Sequence, residues 1–143
     1  MRVLVCGGQG YADRMKVREV LDGILIEHEI ELLVHGGWPG ADTLAGEWAV
    51  SRDVQQVICK QWPAFGRGAS ERSARVSTVQ QMVDILHRGE ECLVVAFPGG
   101  LGTSVLVGAA RATGIRVVEV AAFEEPWRPA FVDGPVARAQ SAA

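Results

Sequence analysis

The sequence predicts an α/β fold: a mostly parallel five-stranded sheet, strand order 3-2-1-4-5, held between two layers of helices. Three observations predict it. Five short runs rich in Val, Leu and Ile lack polar–apolar alternation, the pattern of strands covered on both faces. Segments of helical length and period separate the runs. Glycine clusters follow the first, second and fourth runs, where the chain must turn away from the sheet.

The first strand spans residues 2–6, and a helix over 13–28 follows, with Met15, Val17, Val20, Leu21, Ile24 and Leu25 on one stripe. A second strand covers 31–35. The next helix, 42–52, carries Leu44, Ala45, Trp48 and Ala49 inward, and a third strand spans 54–59. Residues 62–73 exceed an ordinary connection and read as a lid or flap. The third helix, 76–87, presents Val79, Met82, Val83 and Leu86, and the fourth strand spans 92–97. The fourth helix, 102–113, is small and apolar, which suits close packing on the sheet, and Gly114 is its C-terminal stop. A fifth strand covers 116–120. Residues 1–120 thus read as one Rossmann-like three-layer sandwich, and 121–143, with Pro126, Pro129 and Pro135, as a C-terminal arm.

At 143 residues the chain has about one domain's length. It is 48% hydrophobic and 22% charged, a globular balance. A formal net charge of −3 and 6% aromatic residues argue against a nucleic-acid binder. Lys16 and Lys60 are outnumbered by twelve arginines, side chains suited to bidentate contact with phosphate. Cys6, Cys59 and Cys92 sit in apolar runs with no disulfide or zinc spacing, so they read as buried small hydrophobes. No metal and no bound cofactor is expected. No run approaches the roughly 20 apolar residues of a membrane span, and the start at RVLVCGG is no signal peptide; the expectation is a cytoplasmic protein.

The functional expectation rests on three glycine-rich loops at strand ends: Gly7-Gly8-Gln9-Gly10-Tyr11, His35-Gly36-Gly37-Trp38-Pro39-Gly40-Ala41-Asp42, and Pro98-Gly99-Gly100-Leu101-Gly102-Thr103. In an open parallel sheet ligands sit beyond the carboxyl ends of the strands, where the strand order reverses. Glycine lets backbone N–H groups approach an anion, and the following helix offers its positive end. Gly99, Gly100 and Gly102 with the Thr103 hydroxyl make a phosphate cradle, with Gly7, Gly8 and Gln9 on its other side. No GxxxxGK[ST] motif is present, and the first loop is not GxGxxG with a ribose-binding acid, which argues against an NAD-dependent dehydrogenase. Several residues have two readings. His35 is a structural hydrogen-bonding residue or a ligand contact. Asp42 caps the second helix or meets a ribose or base. Tyr11 and Trp38 stack on a base or cover the core's edge. Arg67, Arg72 and Arg75 clamp phosphate or are solvated charges.

The combination RVLVCGG…Y, HGGWPGADTLAGEWA, Trp62-x-x-Phe65-Gly66 and VVAFPGGLGT resembles the YspA-like branch (the DUF2493 proteins) of the SLOG superfamily, across roughly residues 1–120. The resemblance implies a Rossmann-like fold and nucleotide-like ligands. It groups the chain with the lonely-guy phosphoribohydrolases, with sensors of NAD- or ADP-ribose-derived signals, and with a DNA-processing protein that binds single strands. It also implies a homo-oligomer, for which Trp127, Phe131 and Trp48 offer apolar surface.

Departures from that pattern separate binding from catalysis. The phosphoribohydrolase loop reads PGGxGTxxE, and Leu106 stands where its catalytic glutamate falls. Cleaving an N-glycosidic bond needs carboxylate chemistry that leucine lacks. The Arg-Asn pair expected before Met82 is replaced by Thr78 and Val79, with Arg75 or Arg72 one turn earlier as substitutes. The usual GGRDY is GGQGY, so Gln9 and Gly10 replace two charges. Glu47, Glu71 and Asp84 are the alternative carboxylates. The expected function is therefore binding of a nucleoside monophosphate or an ADP-ribose- or NAD-derived ligand, as a sensor or sequestering protein. Nucleoside-monophosphate hydrolysis is the alternative.

Overall fold

The structure is a computed structural model describing residues 1–59, 68–88 and 91–120, the side chains of 68–77 and 101–102 excepted. The element order is β1 (Arg2–Cys6), α1 (Arg14–Glu27), β2 (Leu32–His35), α2 (Ala41–Ser51), β3 (Gln56–Ile58), α3 (Gly68–His87), β4 (Cys92–Ala96), α4 (Leu101–Ala112) and β5 (Arg116–Glu119). The five strands form one sheet in the order β3-β2-β1-β4-β5, and every pairing is parallel. The predicted order and class are both present.

Both faces of the sheet are buried, which is why its strands read as continuous apolar runs. Successive side chains of a strand point to opposite faces. Val3, Val5, Leu33, Leu93, Val95 and Phe97 accordingly join Val17, Val20, Leu21 and Ile24 of α1 and Ala45, Trp48 and Ala49 of α2. On the other face Leu4, Cys6, Val34, Val94 and Ala96 join Met82, Val83 and Leu86 of α3 and Leu106, Val107 and Ala110 of α4. Among the described residues, no helix is long and apolar enough to cross a membrane.

Local signals set most boundaries. Asp13 caps α1, its carboxylate accepting the Lys16 N–H at 3.0 Å. Gly114, at φ +85°, follows the end of α4 as expected. Three expectations need correction. Residues 68–73 are helical rather than part of a lid, because α3 begins at Gly68; its first turns, GASERSARVS, carry no apolar stripe for a period search to find. Met15 is 75% exposed, since at 100° per residue it lies opposite the buried face of α1. Trp48 is 2% exposed and belongs to the chain's own core, so it offers no surface to a second copy. Trp62, Phe65, Gly66, Arg67 and the arm 121–143, with Trp127 and Phe131, lie outside the described residues.

Cys6 and Cys59 are buried, as expected, and Cys92 is half-buried. Burial pushes all three thiols up in pKa, and the nearby Asp42 and Glu119 carboxylates add to the effect at Cys6. None is prepared as a nucleophile, which would need a stabilised thiolate.

Candidate functional site

The chain leaves β1 toward the layer of α1 and leaves β4 toward the opposite layer of α4. The strand order therefore reverses between β1 and β4, the place where α/β sheets open a crevice. The three glycine-rich loops meet there. Gly8 is the hub. Its N–H donates to the Pro98 carbonyl at 3.0 Å, and its own carbonyl accepts from Tyr11 N–H at 3.2 Å and Ala41 N–H at 3.3 Å. The first loop is thereby bonded to both the fourth-strand loop and the start of α2.

Glycine is obligatory at several of these contacts. A Cβ on Gly40, at φ +89°, would lie 2.3 Å from the Gly8 carbonyl oxygen and 2.5 Å from that of Gln9. A Cβ on Gly7 would lie 2.6 Å from the Cβ of Ala41 and 2.9 Å from that of Phe97. Gly99 and Gly100, at φ +99° and +91°, pass in succession through a region that L side chains rarely adopt. A Cβ on Gly100 would lie 3.2 Å from Thr103 Oγ1, so the hydroxyl sits directly beside the turn.

The three helices that follow these loops differ in how their first N–H groups are met. Asp13 caps α1. At α2 the N-cap is Gly40, the Ala41 N–H is taken by Gly8, and Asp42 supplies an acid in the first turn. At α4 the N-cap is Gly100, with neither a capping side chain nor an acid in the first turn. Its positive end is thus the one of the three with no carboxylate of its own, as an anion receptor requires.

His35 and Asp42 support this edge from beneath, being 3% and 6% exposed. Asp42 neither caps α2 nor faces outward. Its Oδ2 accepts from Gly36 N–H at 2.9 Å and Trp38 N–H at 3.4 Å, folding the second loop back over the helix start. Burial holds its carboxyl above the usual carboxylate range, against the opposing pull of His35 and of these two N–H groups. His35 Nδ1 accepts from Gly37 N–H at 3.0 Å, and Nε2 lies 2.8 Å from Gln56 Oε1. The loop's amides are committed to these side chains, so its rigidity is built in.

The other nominated residues fall into two groups. Gln9, Trp38, Gly99 and Gly100 are exposed, with Tyr11, Gly37, Gly40, Pro98 and Thr103 partly so, and these present the edge to solvent. Tyr11 also packs on Phe97, ring centroids 5.3 Å apart. Arg72 and Arg75 fall in the N-terminal half of α3, and Gly102 in the first turn of α4. Sequence reasoning missed Gln56, the partner of His35, and Gly46, whose place in the middle of α2 was the available signal. A Cβ there would lie 3.1 Å from both His35 Nε2 and Gln56 Oε1.

Of the alternative carboxylates, Glu47 pairs with Arg14 and Asp84 accepts from Gln80 at 2.9 Å, while the Glu71 side chain lies outside the described residues. Leu106 is 4% exposed and points into the core beneath α4.

The sheet order and the converging loops define a Rossmann-like α/β protein. Residues 1–64, a little under half of the chain, match the family described as YAcAr, the YspA, cpYpsA-related SLOG family. The fourth-strand motif AFPGGLGT lies beyond the matched segment. No curated protein matches the sequence. Among solved structures, MurG of Acinetobacter baumannii superposes with a TM-score of 0.60 at 13% identity, over 96% of this chain and 38% of MurG. The chain thus spans well under half of that protein's length. The C-terminal domain of a hydrogenase from Pyrococcus furiosus superposes with a TM-score of 0.51 at 14% identity, over 83% of this chain and 90% of that domain. The DNA processing protein A of Streptococcus pneumoniae gives 0.47 at 15% identity, over 82% of this chain and 58% of that one. For MurG and the hydrogenase domain, at these identities, the likeness is one of fold.

Proposed function

We propose that this chain binds the phosphate-bearing end of a nucleotide or nucleotide-derived ligand, a nucleoside monophosphate or an ADP-ribose- or NAD-derived molecule, as a sensor or sequestering protein. The observation that carries this reading is the meeting of three glycine-rich loops around Gly8, beside the start of α4, which has no carboxylate of its own. The phosphate lies against the first turn of α4, with Gly99, Gly100, Gly102 and Thr103 around it. Gly8 and Gln9 line the opposite side. Trp38, 39% exposed, and Tyr11 flank the base or sugar. His35 and Asp42 act on the ligand only by holding the second loop in shape.

Binding is favoured over hydrolysis by the apolar burial of Leu106 and by the engagement of Glu47 and Asp84 in other contacts. Calorimetry with AMP, NAD, ADP-ribose and cyclic ADP-ribose tests the reading: at least one binds, and binding to none removes it. Incubation of concentrated protein with AMP releases no adenine; release would restore the hydrolase reading.

A further inference from the structure

Both ring nitrogens of the buried His35 are hydrogen-bonded, and the geometry fixes which carries the proton. Nδ1 accepts the Gly37 N–H, so the proton sits on Nε2 and is donated to Gln56 Oε1. The Gln56 amide is oriented by its own Nε2, which donates to the Gly46 carbonyl at 3.4 Å. Gly46 leaves the room this pair occupies, although a glycine inside a helix is less favourable than alanine.

We propose that His35 is a proton-operated latch on the second glycine-rich loop: with one ring proton it holds Gly37, and with two it releases it. A second proton would sit on Nδ1 and point at the Gly37 N–H, setting two donors face to face 3.0 Å apart. The ring cannot accept that proton while Gly37 keeps its place. Asp42 still holds Gly36 and Trp38, so the loop opens at Gly37 alone.

The groups around the ring set the balance. From α2 comes the Asp42 carboxylate, which favours the doubly protonated ring. From β3 comes the neutral Gln56 amide. Burial and the lost Gly37 bond oppose the second proton. The consequence for a ligand rests on the nucleotide reading above; the latch itself does not.

Nitrogen-15 NMR of the full chain from pH 8 to 5, the range in which imidazoles ordinarily titrate, tests the latch. The protection factor of the Gly37 amide falls at least tenfold with the same midpoint as the His35 Nδ1 signal, while Gly36 and Trp38 keep theirs. His35→Asn places a non-titrating acceptor near Nδ1 and leaves Gly37 protected throughout. Gln56→Glu moves the midpoint up by about one pH unit. Three results overturn the latch: a ring that keeps one proton to pH 5, a ring that titrates without Gly37 responding, or the same Gly37 transition in His35→Asn. ADP-ribose and AMP are then titrated at pH 7.5 and 5.5 against wild type and His35→Asn, so that the phosphate's own ionisation cancels. An affinity change of at least fivefold beyond that of the variant links latch and site, and equal changes overturn the link. If neither ligand binds at either pH while Gly37 still responds, the nucleotide reading fails and the latch stands.

Discussion

Asp42 illustrates how a single buried acceptor can organise a loop. One oxygen serves two backbone N–H groups, Gly36 and Trp38, from a carboxylate that is 6% exposed. Removing it leaves the buried Gly36 N–H unmet, at about 1–3 kcal/mol. Asp42→Ala is expected to lose that much in urea unfolding, with amide shifts confined to the second loop and the start of α2. Gly40 is more constrained still. Gly40→Ala forces a side chain into a strained backbone region, about 1–3 kcal/mol by itself, and into the Gly8 carbonyl. Gly10→Ala meets nothing within 4 Å and serves as the control, expected within about 0.5 kcal/mol of wild type. Leu106→Glu, the exchange that would restore the phosphoribohydrolase motif, buries a carboxylate among Val107, Ala110 and Met82. It is expected to destabilise by roughly 3 kcal/mol or more, and to release no adenine from AMP.

At the scale of elements, α1 and α2 are clamped by Asp22, whose carboxylate takes the Arg52 guanidinium through two bonds of 2.8 Å and the Trp48 indole N–H through a third of 2.8 Å. The Arg52 hydrogen bonds hold Asp22 below the usual carboxylate range, with partial burial opposing and Trp48 assisting. A depressed carboxyl stabilises the fold fully above its unfolded value of about 3.9, and that stabilisation is lost as the pH falls through the lower folded value. Asp42, raised by burial, works in the opposite sense: its contribution is present below its unfolded value and is lost as the pH rises through the folded one. Asp22→Asn is therefore expected to flatten the acid limb of the stability–pH curve below about pH 4. At neutral pH it costs roughly 1 kcal/mol, a modest figure because the pair is about a third exposed. Chemical denaturation at pH 7 and pH 3 measures both effects.

For the molecule as a whole, the proposed binding would be linked to folding. A nucleotide at a hundredfold excess over its Kd is expected to raise unfolding free energy by about 2.7 kcal/mol, visible as a higher midpoint in thermal or urea unfolding. The same addition to Gly40→Ala is expected to give a smaller gain, because the loop geometry around Gly8 is disturbed. An equal gain in the two proteins would place the ligand away from the converging loops.

The amino-acid sequence by itself determined the α/β class, the strand order, the approximate span of every strand and the three loops that meet. The reason is physical: strands buried on both faces must be apolar throughout, and a chain passing through φ near +90° at Gly99 and Gly100 needs glycine. Tertiary structure alone decided the early start of α3, the inward place of Trp48 and the tasks of His35 and Asp42. Those depend on partners distant in the chain, such as Gln56, 21 residues from His35, and on whether a neighbouring element covers a given face. Periodicity reports which side of an element is apolar; it carries no information about which polar atom will be waiting when that side is covered.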